Sequence, residues 1–193
     1  MPNKAVKNNS HRVFGNHSHF LVIDVETKKL AAEVGGWEHL DQLGVSLACA
    51  FDSKTSKYRS YHEHELGNLI RLFKERVVVG YNISGFDFPV LAPYGCDPSK
   101  FNSFDVMTDL EAATGKRWLS LESVALGTLD YGSFSDGLEA VEMWKRGDMD
   151  ELSLHCLGDV KIILDIFRFG REHGFVRIGK NDKKSEKVSV TWR

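Results

Sequence analysis

The order of apolar segments predicts an α/β fold built on a mixed central sheet flanked by helices. Two features carry this. Three strand-like segments follow one another near the start of the chain, and helical and strand-like segments then alternate before a run of helices. The first strand is apolar on both faces, which places it in the middle of a sheet.

Residues 1–17 are polar and read as a flexible tail ahead of one domain over 18–193. Residues 19–26 form the first strand, and 27–42, with Gly35-Gly36-Trp37, a loop. Residues 43–51 and 57–62 are the second and third strands, joined by the polar turn Asp52-Ser53-Lys54. Helical spacing of Leu66, Leu69, Ile70, Leu72 and Phe73 predicts a helix over 65–75. Residues 77–81 are a short β-branched strand. A short helix is expected over 86–94, since Pro89 is tolerated in a first turn. Asp105 is placed to cap a helix over 105–114 and Ser120 one over 121–129. Further helices are expected over 137–146 and 148–172, the latter ending near Gly174. Alternation of Val-Ser-Val-Thr-Trp predicts a final edge strand over 187–192. The first and fourth strands would lie side by side in parallel, with the ligand at their C-terminal ends.

Bulk properties exclude several classes. A chain of 193 residues, 42% hydrophobic and 27% charged, suits one soluble domain with a real core. No apolar run approaches the roughly 20 residues that span a bilayer, and the start has no apolar leader core, so no membrane partner is expected. Cys49, Cys96 and Cys156 form no CxxC pair, which points to a reducing, cytoplasmic setting. Net charge is −2 but uneven. Residues 160–193 hold nine Lys or Arg against four Asp or Glu, a net of +5, which leaves −7 for the rest. That basic end suits either phosphate contact or a solvated tail. Lys145-Arg146 and Lys183-Lys184 read as solvated. The His17/His19 and His62/His64 pairs lack a third metal ligand nearby in sequence.

The chemistry is carried by carboxylates set among apolar residues. Asp24 and Glu26 lie in Leu21-Val22-Ile23-Asp24-Val25-Glu26-Thr27 and leave one face of a strand. Asp87 follows the fourth strand, where an N-cap is the structural alternative. Asp159 fills the missing step between Cys156 and Ile163 in the apolar stripe of the long helix. His155 stands one turn earlier. Buried carboxylates either neutralise or find a cation. Three such blocks suggest a shared hard divalent ion, Mg²⁺ or Mn²⁺. Trp37 and Phe86 are candidate aromatic contacts, and Thr27 and Asn82 candidate polar contacts, for a ligand held beside these acids.

As a set these blocks resemble the DEDD superfamily of 3′–5′ exonucleases, which have a ribonuclease H-like fold. Residues 21–27 match its first motif. Gly80-Tyr81-Asn82 through Phe86-Asp87-Phe88-Pro89 is similar to the second motif of family-B DNA polymerase proofreading domains. His155-Cys156-Leu157-Gly158-Asp159-Val160 resembles the third, in the form found in stand-alone polymerase-like exonuclease domains. The resemblance implies that Asp24, Glu26, Asp87 and Asp159 hold two divalent ions and that His155 is the general base. It implies hydrolysis at the 3′ end of a single strand or duplex, with DNA favoured over RNA. One departure stands out. His155 precedes Asp159 by four residues, the spacing of the tyrosine branch, whereas the histidine branch uses five. Two other readings stay open: a catalytically silent module of this fold that binds nucleic acid or protein, and an RNA-specific exoribonuclease.

Overall fold

The protein is described by a computed structural model covering residues 19–132, 137–179 and 185–192. The expected tail over 1–17 and the Lys183-Lys184 pair lie outside these residues. Strands β1 (Phe20–Thr27), β2 (Val45–Asp52) and β3 (Lys57–Tyr61) form an antiparallel meander. Strands β4 (Val77–Gly80) and β5 (Ser103–Asp105) add to the other side of β1 in parallel. The sheet order is β3-β2-β1-β4-β5, so β1 is central and next to β4, as its two apolar faces required. The fold is α/β with a mixed five-stranded sheet flanked by helices, of the ribonuclease H-like class.

Residues of β1 alternate between two cores. Phe20 and Val22 face a layer built with α3 (Val106–Thr114), α4 (Leu121–Leu129), α5 (Gly137–Arg146) and α6 (Met149–His173). Leu21, Ile23 and Val25 face the other layer, with α1 (Leu66–Phe73) and α2 (Asp87–Leu91). In α1, Leu66, Leu69 and Phe73 are buried at helical spacing. The stripe of α6 buries Leu152, Cys156, Asp159, Val160, Ile163, Ile166 and Phe167. That helix stops at Gly174, whose φ of +71° suits glycine, and its N–H bonds the Gly170 carbonyl at 2.9 Å.

Besides the unforeseen strand β5, the structure departs from the sequence reading in three places. The expected loop over 27–42 contains short 3₁₀ turns at Ala31–Val34 and Trp37–Gln42, too brief to leave an apolar period. The helix expected over 86–94 is α2 followed by a 3₁₀ turn at Ala92–Tyr94, with Phe86 outside it at φ −133°. The final strand is not an edge of the main sheet. Strand β7 (Glu186–Ser189) pairs with β6 (Phe175–Ile178), which the sequence reading missed, in a separate ribbon. Beyond it Trp192 is fully buried between Phe104 and Phe167, and its indole N–H donates to Asp109 at 2.6 Å.

Gly80 ends β4 where the chain must pass close to β1. A Cβ there would stand 2.1 Å from Ile83 Cγ2 and 3.1 Å from the Ile23 carbonyl oxygen. Gly80→Ala is therefore expected to be overpacked by about 1–3 kcal/mol. At about 2–4 °C per kcal/mol for a chain of this size, thermal unfolding should show a loss of several degrees. An unchanged Tm would mean that Ile83 moves aside at no cost.

Candidate active site

The parallel ladder of β1 with β4 stops at Val22–Val79. Asp24 and Glu26 therefore stand on the part of β1 that β4 no longer covers, in the row begun by Phe20 and Val22, facing α6. One turn of α6 supplies His155 and Asp159 to the same place. Ligand atoms of Glu26, His155 and Asp159 all lie within 4.8 Å of one another. His155 Nε2 is 3.5 Å from Glu26 Oε1. Between the two acids of β1 and the helix lies Cys156, whose thiol donates to the Asp24 carbonyl at 3.6 Å.

Asp87 arrives from the opposite core layer, as the first residue of α2. It is 3% exposed; burial raises its carboxyl, and the backbone N–H groups of Asp87 itself and of Val25 act against that rise. The N-cap position is held by Phe86, so Asp87 is not the cap that local sequence allowed. Asp87 Oδ1 is buried without a hydrogen-bond partner among the described residues. The loop leading to Asp87 is shaped by a residue the sequence suggested only as a cap. Asp105 does cap α3 through the Thr108 N–H at 3.3 Å. It also accepts from the N–H groups of Asn82 at 2.9 Å and Ser84 at 3.0 Å. Asn82 takes the left-handed conformation, φ +59°.

A cleft of about 600 Å³ opens over these groups. Asp24, Glu26, Thr27, Trp37, Asn82, Phe86, Asp87, His155 and Asp159 all line it. Trp37 is 73% exposed, and its ring centroid is 6.4 Å from that of Phe86. The Thr27 hydroxyl donates to the Lys29 carbonyl at 2.9 Å, which leaves its lone pairs for a ligand. Lys29, Tyr81 and Leu138 also line the cleft. Sequence reasoning missed them: Lys29 and Leu138 belong to no motif, and Tyr81 was read as the end of a strand. The His62 and His64 rings stack at 5.9 Å, and neither joins a metal-ligand group among the described residues. Lys145 pairs with Glu33 at 3.1 Å and Arg146 with Asp148 at 2.7 Å, so both are surface ion-pair residues.

Gathering these acids costs energy. Burial, and then repulsion from Glu26, Asp87 and Asp159, holds the Asp24 carboxyl well above the usual range. Burial, and then Asp159, pushes Glu26 up to about 7. Burial also raises Asp87 well above its ordinary value, with Asp105 and Glu26 adding to it. Ligand atoms cluster in two groups, Asp24 with Glu26 and Cys156, and Glu26 with His155 and Asp159; their carboxylates suit a hard divalent cation, while Asp87 joins neither group and lines the same cleft. Asp24, Glu26 and Asp159 are the acids of those two groups. Cys156 does not suit the role, because burial keeps its thiol protonated.

No family model and no curated protein matches this chain. Among solved structures it is similar to the family B DNA polymerase from the hyperthermophilic archaeon Pyrobaculum calidifontis. The TM-score is 0.58 and the identity 19%, over 79% of this chain and 24% of that one. It is also similar to exonuclease I, with a TM-score of 0.47 and 14% identity over 80% of this chain and 41% of that one. The chain thus spans about a quarter of the polymerase and under half of exonuclease I. At such identity the polymerase likeness establishes the fold. Among the described residues, no helix is long and apolar enough to cross a membrane.

A stability prediction follows from the raised acids. A carboxyl with a raised folded-state value favours folding while protonated and loses that contribution as it ionises. For Glu26 the window runs from its ordinary 4.5 to about 7, and Asp24 and Asp87 shift in the same direction. In EDTA, Tm should fall as pH rises from about 5 to about 8, and Mg²⁺ should restore it at the upper end. Scanning calorimetry with and without Mg²⁺ checks this. A flat profile in EDTA would mean that neither burial nor repulsion raises these acids in the folded state.

Proposed function

We propose that this chain is a metal-dependent 3′–5′ exonuclease that hydrolyses phosphodiester bonds at nucleic-acid 3′ ends, with residues 18–193 as its domain. The observation that carries the reading is the convergence of Asp24, Glu26, Asp87 and Asp159 in one cleft beside His155. They come from three separated blocks and from both core layers. A silent module of the same fold has no need of buried acids such as Asp24, Glu26 and Asp87, whose ionised forms lower stability without a cation. The likeness to a DNA polymerase and the Phe86-Asp87-Phe88-Pro89 block favour DNA over RNA. A cytoplasmic setting belongs to the same proposal.

Two divalent ions, when bound, would stabilise charge at the scissile phosphate and lower the cost of ionising the attacking water. The chain's own groups do the rest. Asp87, buried at the start of α2, brings to the cleft lining a carboxylate with one oxygen that has no hydrogen-bond partner among the described residues. His155 Nε2 takes the proton of the water, and the Glu26 carboxylate 3.5 Å away steadies the imidazolium that results. The four-residue spacing is accommodated because Glu26, on the strand facing α6, meets the imidazole there. Trp37 and Phe86 form an aromatic wall on which a terminal base can stack, and the Asn82 side chain borders the same space.

The direct test uses end-labelled single- and double-stranded DNA and RNA with Mg²⁺, Mn²⁺ or EDTA. Shortening from the 3′ end that EDTA abolishes is expected. Asp24→Asn or Asp159→Asn should remain folded and lose activity by about 10²-fold or more, because an amide is a poor Mg²⁺ ligand. In EDTA the Asp24→Asn protein should be more stable than the parent, since one repelling charge is gone. Full, EDTA-resistant cleavage by either variant would sink the two-ion reading.

His155→Ala should slow single-turnover cleavage by about 10²–10⁴-fold, the usual size of general base catalysis. His155→Tyr should recover a measurable part, because it supplies a hydroxyl from the same turn. Rates normalised to folded protein separate this from a packing role: an alanine variant as fast as the parent removes His155 from the mechanism.

A further inference from the structure

Residues 115–120 connect α3 to α4 and carry Lys116, Arg117 and Trp118, all exposed. Trp118 is 79% exposed and adopts the left-handed conformation, φ +60°. The other described non-glycine residues at positive φ are Ser56, Asn82 and Asp130, small polar residues suited to such turns. A bulky aromatic there is an outlier. The conformation is imposed from both sides. The Trp118 N–H donates to the Glu111 carboxylate, and the next residue, Leu119, is buried. The Leu119 carbonyl accepts the Tyr81 hydroxyl at 2.7 Å. Burial of Leu119 accounts for the turn but not for an indole held in water at strained backbone cost. Tyr81 lines the carboxylate cleft, so this segment is anchored directly to the cleft wall.

The flanking cations can meet phosphate. Arg117 reaches Glu111 only at 4.0 Å and is 77% exposed on its side chain; Lys116 pairs with Glu186, and both of those side chains are about half exposed. Such surface pairs are weak and open to competition from a phosphate. An exposed rigid ring beside an arginine is the arrangement that stacks a base and meets its backbone without reading sequence.

We propose that Trp118 and Arg117 form a second contact for single-stranded nucleic acid: a strand whose 3′ end occupies the carboxylate cleft passes Tyr81 and lays an upstream base on the Trp118 ring, with Arg117 facing its phosphate. The contact rests on the nuclease reading given above. It makes affinity depend on strand length, since a strand too short to leave the cleft cannot reach the ring.

The test is fluorescence anisotropy in EDTA with labelled oligo-dT of about 3 and about 12 nucleotides, a range that brackets typical single-strand site sizes. Trp118→Ala should weaken the longer strand about tenfold and leave the shorter unchanged, at an unchanged Tm. Trp118→Phe should restore most of the loss. Arg117→Ala should reduce the slope of log affinity against log salt by about 0.7, for the longer strand only. If Trp118→Ala binds the longer strand as tightly as the parent, or weakens both lengths equally, the contact is overturned while the nuclease reading stands. If the parent binds neither strand, the contact is overturned, and the nuclease reading is judged separately by the cleavage assay with Mg²⁺.

Discussion

Mutual repulsion among desolvated carboxylates is the constraint to which the rest of the structure answers. Burial above all, and then repulsion from neighbouring carboxylates, raises Asp24, Glu26 and Asp87 above the ordinary acid range. Nothing in the local chemistry of any one block demands this. Each acid would be cheaper at the surface. The cluster persists because the packing on both sides of β1 leaves its members no other place to go.

The central strand achieves this by dividing its residues between two layers. The row of Phe20 and Val22 continues as Asp24 and Glu26, facing α6, while Leu21, Ile23 and Val25 hold the opposite layer. The acids are therefore anchored by the same alternation that builds the core. From the other layer, α2 brings Asp87 to the Val25 backbone. On α6, Cys156 and Val160 are buried beside His155 and Asp159, which fixes the turn that carries the polar pair. Asp105 adds a quieter constraint. By accepting from Asn82 and Ser84 it shapes the loop ahead of Asp87, and its second role as the cap of α3 couples that loop to the helix.

Legibility in the sequence varied with the length and regularity of each element. The long helix α6 was visible because its apolar stripe repeats over seven turns, and the one gap in that stripe exposed Asp159. Strand β1 was visible because both faces are apolar. Strand β5 has three residues, and β6 follows a helix after a single glycine, so neither has room for a period. The 3₁₀ turns at Ala31–Val34 and Trp37–Gln42 were invisible for the same reason, although the left-handed Gly35 and Gly36 between them mark the break. Alternation in the last strand was read correctly as an edge strand, but its partner β6 was not foreseen, because period 2 says nothing about a partner.

By itself the sequence determined the class of fold, the central place of β1 and the identity of the acids set against their apolar surroundings. These follow from local periodicity and from the cost of a charge in an apolar row, both of which act over a few residues. Tertiary structure alone decided that three blocks share one cleft, that Asp105 supports the second of them, and that His155 meets Glu26. It also decided that Trp118 is held in water beside the cleft wall. Those are relations between residues distant in the chain, set by how two core layers close around one strand, and no local pattern records them.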